Sequence, residues 1–392
     1  MNKEILIIGA GKIGRGFIGH LFHRGGYKLW FVDKDQETVH LLNKEKRYRV
    51  DLAGEHSDET EYVPVEGALS PEDIEQVVEV FNRVAIMAVS AGAINLESVA
   101  IYLRGLLEYR DKSKNLDCLI CENYLKPAGM IRAILLKNAG PALTSYINNH
   151  LGLVETQVLR TGMPAKPDIM AREPLALRMQ NEWILPIDKK AFVGDIPDIY
   201  GFIPRENFEN ESIRKLYTFN GLNGAIAYVG WVNGFRILHE AAQSMLPFID
   251  KIQEESAWGL LHEFGFDPVE HRDYMKRALK KYTDPALADQ IERNARDLRR
   301  KVGKEERLIG TALLCLKHGK QPVAYARAIA AAYCYDGSDD EGTLAVNHTV
   351  QKEGIVTALK TYSGIDESSE LFTMIIEAFN NKSFLHDTDH MP

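Results

Sequence analysis

An apolar run, Ile5 to Ile8, leads straight into Gly9-Ala10-Gly11-Lys12-Ile13-Gly14, and this junction restricts the fold more than any other feature of the chain. RGFIGHLFHRGG follows, a helical pattern with Ile13, Phe17 and Leu21 on one face and Gly25-Gly26 as its stop. A second strand pattern, KLWFV, then ends on Asp33. Each glycine has a physical task. Gly9 permits a tight turn, Gly11 lets the backbone approach a pyrophosphate, and Gly14 lets helix and strand pack closely. The helix N-terminus offers free N–H groups and a partial positive charge to phosphates. GxGxxG alone is a weak signal, but a strand before it, a helix after it and an acid 19 positions past Gly14 supply the confirming context. Asp33 accepts hydrogen bonds from a ribose 2′-OH and repels a 2′-phosphate, which favours NAD over NADP; Lys34, directly after it, softens that preference. The expected cofactor contacts are therefore Gly9, Ala10, Gly11, Lys12, Ile13, Gly14 and Asp33, with Ser90 at the end of a later strand.

Further strand patterns, RVAIMAVS (83–90) and LDCLICEN (116–123), alternate with helical segments and fit a doubly wound parallel sheet. Between 151 and about 205 the chain reads differently: VETQVLRT, ALRMQNEWILPID and IYGFIP look like strands broken by prolines, a β extension. From about 207 onward the pattern is helical, as in FIDKIQEESAWGLLHEFG, LADQIERNARDLRRKV and PVAYARAIAAAYCY. The expectation is α/β plus all-α: a Rossmann-type NAD-binding domain with a β extension over 1–206, then a helical domain over 207–392, with the site in the crevice between them. A length of 392 residues supplies a core to each.

A net charge of −8 argues against nucleic acid or an anionic membrane as the main partner. No apolar run approaches the roughly 20 residues of a membrane span, and a strand pattern begins at once where a signal peptide would stand. Four cysteines do not make a disulfide framework in a chain this long, which favours a reducing cytoplasm. Cys118 and Cys121 form a CxxC inside a strand pattern, where positions i and i+3 face opposite sides, so core packing is the expectation rather than redox or zinc chemistry. HDTDH, His386 to His390, reads as a polar tail, and no metal is expected.

KLYTFNGLNG, Lys215 to Gly224, is the one helical stretch that puts polar groups where apolar ones belong. At about 100° per residue, with Lys215 at zero, Leu222 falls near −20°, Ile226 near 20°, Phe219 near 40° and Leu216 near 100°. On that wheel Asn223 lies near 80° and Asn220 at the stripe's edge near 140°. Two readings of Lys215 stand. Its stem packs while the ammonium reaches water, or it is desolvated, its pKa lowered toward the working pH, and serves as a general base toward an alcohol. Asn220 and Asn223 bring amide donors to the same two turns. Gly221 and Gly224, each costing up to about 1 kcal/mol in a helix interior, suit a backbone that something approaches closely.

KLYTFNGLN resembles the Lys-x-x-x-x-Asn-x-x-His signature of the polyol-specific long-chain dehydrogenases/reductases, the mannitol dehydrogenase family. GAGKIGRGFIG, the Cys-Glu-Asn segment at 121–123, RKLYTFN with AIAYVG, EWILPIDKKAFVG and RLIG (307–310) also have counterparts there, most closely in the branch specific for phosphorylated substrates. The resemblance runs nearly end to end. It implies a zinc-independent, NAD-dependent interconversion of mannitol 1-phosphate and fructose 6-phosphate by a monomer or small homo-oligomer. It also implies Lys215 as general acid/base, Asn220 as one oxyanion donor and Asn123 as the second. Two departures matter: Asn223 stands where the signature has His, and in VLRTGMP (158–164) Leu159 stands where the family has Asp, while Arg160 is retained. They bear on the substrate more than on the reaction type. An unphosphorylated hexitol, a uronate or another polyol phosphate, or a non-catalytic NAD-binding role, therefore stay open. For a substrate phosphate the candidates are Arg307 and Arg160. Arg307 is either a bidentate phosphate grip or half of a structural ion pair. Its companions Arg296, Arg299, Arg300, Lys301 and Lys304 read as a solvated helix face.

Overall fold

The computed structural model describes residues 3–53, 58–123, 126–163 and 165–384, so the His386–His390 tail lies outside the described residues. Two compact units divide the chain, Met1–Phe208 and Glu209–Pro392.

The strands of the first unit are β1 (Glu4–Ile8), β2 (Lys28–Val32), β3 (Arg47–Ala53), β4 (Glu59–Pro64), β5 (Gly67–Leu69), β6 (Ile86–Val89), β7 (Leu116–Ile120), β8 (Leu151–Glu155), β9 (Gly162–Met163), β10 (Leu177–Gln180), β11 (Leu185–Asp188) and β12 (Phe202–Arg205). Six make a wholly parallel sheet in the order β5-β2-β1-β6-β7-β8. This is the doubly wound Rossmann order, and its ligand crevice lies beyond the carboxyl ends of the strands where the order reverses. Gly9, Asp33, Ser90 and Cys121-Glu122-Asn123 directly follow β1, β2, β6 and β7 and so share that edge. A parallel sheet is covered on both faces, which explains why ILII is apolar at every position. Ile5, Ile7, Ala88, Leu119 and Cys121 face one core, and Leu6, Ile8, Met87, Val89 and Cys118 the other. The two thiols of the CxxC thus point into opposite cores, both free and buried.

The β extension differs from its expected extent. Leu151–Glu155 pairs with β7 and completes the main sheet rather than starting the extension. The second sheet, β4-β3-β10-β9, draws half its strands from Arg47–Pro64, a stretch the sequence pattern did not flag. The two pair with each other, but β3 joins the rest of the sheet through β10, more than a hundred residues on, which local periodicity does not record.

The second unit is helical. Gly221–Val232 runs through its centre and packs against Leu246–Phe264, Ile291–Ala295 and Val323–Ala332. Every residue from Gly221 to Gly230 is buried, which makes this an all-round core helix rather than an amphipathic one. Leu216, placed on the apolar stripe by the helical wheel, is only half-buried. The segment LADQIERNARDLRRKV does not form one helix. Ile291–Ala295 and Leu298–Lys301 are separated at Arg296 and Asp297, the latter left-handed at φ 65°. Asp340 and Thr343 hold the new helix start by accepting the Asp297 and Leu298 N–H groups. Among the described residues no helix is long and apolar enough to cross a membrane.

Candidate active site

In the first unit the glycine loop is closed by its own backbone. Gly9 has φ +100°, and a Cβ there would lie 2.2 Å from the Ser90 carbonyl oxygen; a Cβ on Gly14 would lie 1.9 Å from that of Gly9. No side chain fits at either position. Gly11 is the opposite case: nothing lies within 4 Å of its Cβ position, so its backbone faces open space. That space is a cavity of about 470 Å³ lined by Ala10, Gly11, Lys12, Arg15, Asp33, Asp35 and, from across it, Met163, Met170 and Leu177. Asp33 is fixed at its edge, with one oxygen accepting the Ala10 N–H at 2.6 Å and the other the Asp35 N–H at 2.9 Å. Ala10 therefore has its N–H committed to Asp33 and its carbonyl to Arg15, and of the loop amides it is not one left for a phosphate. Ile13 is half-buried against the core. The residues present fit a dinucleotide: an exposed glycine backbone, a helix start and an oriented carboxylate.

Two residues outside the motif hold this arrangement. Arg15 is buried, which lowers its pKa, and donates to the Ala10 and Leu175 carbonyls at 2.6 Å each, tying the loop to the opposite wall. Glu122 accepts the Ala91 and Gly92 N–H groups at 2.7 and 2.9 Å and so fixes the loop after Ser90; burial raises its pKa against those donors. Asn123 beside it is exposed. An arginine and a glutamate in otherwise apolar or glycine-rich runs were the available signals.

Arg160, expected at a substrate phosphate, is enclosed within the first unit. It is only 2 % exposed, donates Nε to the Gln180 carbonyl, stacks over Trp183 and adjoins His20 inside the first unit's core. Burial, then the nearby Arg24 charge, lowers its pKa to about 10. Leu159 is buried in that unit as well.

In the second unit the helix carrying Lys215 changes type. Phe208–Lys215 is α-helical, Leu216–Asn220 is a π-turn, and Gly221–Val232 is α-helical again. A π-turn contains one residue more than the α-turn it replaces, and such insertions recur at functional sites. The surplus residue turns everything after it back by about 100°, so relative to Lys215 Asn220 moves from about 140° to about 40° and Asn223 from about 80° to about −20°. On the helical wheel both amides thereby fall on the lysine's face. Lys215 keeps part of its surface open to solvent, yet crowding around its amine, followed by the charges of Lys281 and Arg307, lowers its pKa to about 8. Asn223 is buried and donates to the Asn294 side chain at 3.1 Å.

Gly221 and Gly224 admit protein rather than ligand. A Cβ on Gly221 would lie 2.6 Å from the Tyr325 hydroxyl, and one on Gly224 3.4 Å from both Arg307 and Leu308. The RLIG segment thereby packs onto the helix and sets Arg307 beside it. Arg307 is buried, with Nε on Glu306 at 3.1 Å, and its charge acts on both Lys215 and Lys301. Lys301, expected on a solvated face, is 7 % exposed and donates to the Asn294 carbonyl at 2.7 Å. Its pKa falls to about 7 through burial and then the charges of Arg307 and Arg300. Lys215, Asn223, Asn294, Lys301 and Arg307 thus form one connected polar cluster in a helical core.

Residues 3–199 match the mannitol dehydrogenase Rossmann domain and 209–383 the mannitol dehydrogenase C-terminal domain. The chain belongs to the mannitol dehydrogenase family. It is 29% identical over 375 residues to the mannitol-1-phosphate 5-dehydrogenase of Thermoanaerobacter pseudethanolicus, covering 95% of this chain and 96% of the relative. The corresponding Caldanaerobacter subterraneus protein is 30% identical over 373 residues, with 94% and 95% covered. The Pseudomonas fluorescens mannitol 2-dehydrogenase in ternary complex with NAD and D-mannitol shares the fold at TM-score 0.74 and 15% identity, over 98% of this chain and 92% of that one. So does a substrate-free D-sorbitol dehydrogenase at TM-score 0.78 and 14% identity, over 97% and 93%. In this member of the mannitol dehydrogenase family, the Lys-x-x-x-x-Asn spacing spans the π-turn.

Proposed function

We propose that this member of the mannitol dehydrogenase family is an NAD-dependent polyol-phosphate dehydrogenase acting in the cytoplasm, interconverting mannitol 1-phosphate and fructose 6-phosphate without a metal. The observation that carries the reading is the π-turn after Lys215, which on the helical wheel brings two neutral amides to the face of a lysine whose pKa burial lowers to about 8. NAD, bound by the Gly9–Gly14 loop with Asp33 on its ribose and Ser90 nearby, supplies the hydride acceptor. Neutral Lys215 takes the substrate hydroxyl proton as the carbon loses its hydride, and its ammonium returns that proton when a ketose is reduced. Asn220 and Asn123 donate to the oxygen as it gains negative charge, and an amide does so without competing for the proton. Asn223, in the place of the family's histidine, holds a further substrate hydroxyl.

A phosphorylated substrate is favoured by the cations gathered near Lys215: Lys281, Arg307 and, beside Arg307, Lys301. Arg307 keeps its pair with Glu306 and presents the rest of its guanidinium as the phosphate grip. Oxidation of NADH by fructose 6-phosphate, compared with fructose and fructuronate, tests the reading. Preference for either unphosphorylated ketose would move the substrate, and NADH binding without turnover on all three would make the chain a nucleotide-binding protein alone.

A further inference from the structure

The Tyr217 carbonyl is the point at which the π-turn departs from the helical ladder. In a regular α-helix the Gly221 N–H would reach it; here that N–H reaches the Leu216 and Thr218 carbonyls instead. The Tyr217 oxygen accepts two side-chain donors, the Ser256 hydroxyl at 3.1 Å and the Tyr325 hydroxyl at 3.2 Å. Tyr325 comes this close only because residue 221 is glycine, since a Cβ there would stand 2.6 Å from its hydroxyl oxygen. The two donors sit on different helices, Leu246–Phe264 and Val323–Ala332. Glu255 joins those helices by accepting the Ala324 and Tyr325 N–H groups at 2.8 and 2.9 Å.

We propose that Tyr325 and Ser256 are positioning residues of the reaction: through the Tyr217 carbonyl they hold the π-turn, and through the turn they keep Asn220 and Asn223 on the face of Lys215. Neither touches substrate. Without both donors the buried carbonyl recovers a partner most directly by taking back the Gly221 N–H. That step restores the α-ladder and swings Asn220 away from the lysine by about 100°. Lys215 would then also change its distance from Arg307 and Lys281.

This inference rests on Lys215 as acid/base, and the experiment separates the two. Tyr325→Phe, Ser256→Ala and their double variant are compared with Lys215→Ala for kcat, NADH affinity and the pH profile of kcat/KM. Positioning predicts that Tyr325→Phe keeps NADH affinity but loses about tenfold in kcat, and that the double variant loses more, as misplaced catalytic groups do. The basic limb assigned to Lys215 also moves in both variants. Ser256→Thr, which keeps a hydroxyl, retains the parental profile. A Tyr325→Phe/Ser256→Ala enzyme with parental kcat and pH profile overturns the positioning role while Lys215→Ala is inactive. An active Lys215→Ala enzyme overturns the acid/base reading beneath it. If the double variant does not fold, Ser256→Ala against Ser256→Thr carries the same comparison.

Discussion

The two units carry the same local device in different service. Each has a π-turn, Gly14–Gly19 in the first and Leu216–Asn220 in the second. In each a buried tyrosine hydroxyl donates to a turn carbonyl: Tyr48 to Arg15 at 2.7 Å and Tyr325 to Tyr217 at 3.2 Å. In each a glycine four positions on admits it, Gly19 or Gly221, where a Cβ would stand 2.6 Å from the hydroxyl. They differ in what the turn presents. The first turn's one titratable side chain, Arg15, donates to two carbonyls, so that turn offers shape and backbone rather than acid/base chemistry. The second brings a lysine and two amides together, and its geometry decides whether they act on one atom. In the proposed reaction one turn binds and the other aligns.

The sharpest break of that contrast is Lys215→Ala. Turnover should fall by roughly 10³-fold or more, in the range of losing an acid/base group, while NADH affinity, measured by fluorescence titration, stays near parental. Loss of NADH binding would place Lys215 in the wrong unit's work. Next come the paired substitutions Gly19→Ala and Gly221→Ala, which push a methyl into the same kind of tyrosine contact. Gly19→Ala should weaken NADH binding by about tenfold or more, and Gly221→Ala should lower kcat by a similar factor with NADH binding retained. Equal effects on both readouts would erase the division of labour.

The pH dependence sharpens it further. Polyol oxidation needs the neutral amine, so its kcat/KM should rise with pH and level off above about 8, where Lys215 has lost its proton. Ketose reduction needs the ammonium and should fall over the same interval. Opposite limbs in stopped-time assays of the two directions would check the sign, and parallel limbs would remove Lys215 as the titrating group. The smallest effect is expected for Asn223→His, which keeps a donor facing Asn294. It should alter the preference among ketoses more than kcat on the best one, and a collapse of kcat would show a site rebuilt around the amide.

The nucleotide side was legible because its constraints are local. Gly9, Gly14 and Asp33 act on one another across one strand-turn-helix-strand unit, and the spacing records it. The second site was only half legible. Lys215 and Asn220 stood out on the helical wheel, but at the wrong angle, because the π-turn is held by residues 39 and 108 positions away. Lys301 was lost for a related reason: a continuous helix puts it on a wet face, whereas the left-handed Asp297 breaks the helix and turns it inward. The surroundings of Arg160 were not legible, because His20 lies 140 positions away and Gln180 20, on other strands and helices.

A helix with one surplus residue also keeps a record of how it arose. Excising a single codon between Lys215 and Asn220 would yield an unbroken helix of ordinary pitch in which both asparagines still fall on the lysine's face, near 40° and −20°. What the surplus residue adds is a carbonyl outside the ladder, that of Tyr217, which two other helices grip through Ser256 and Tyr325.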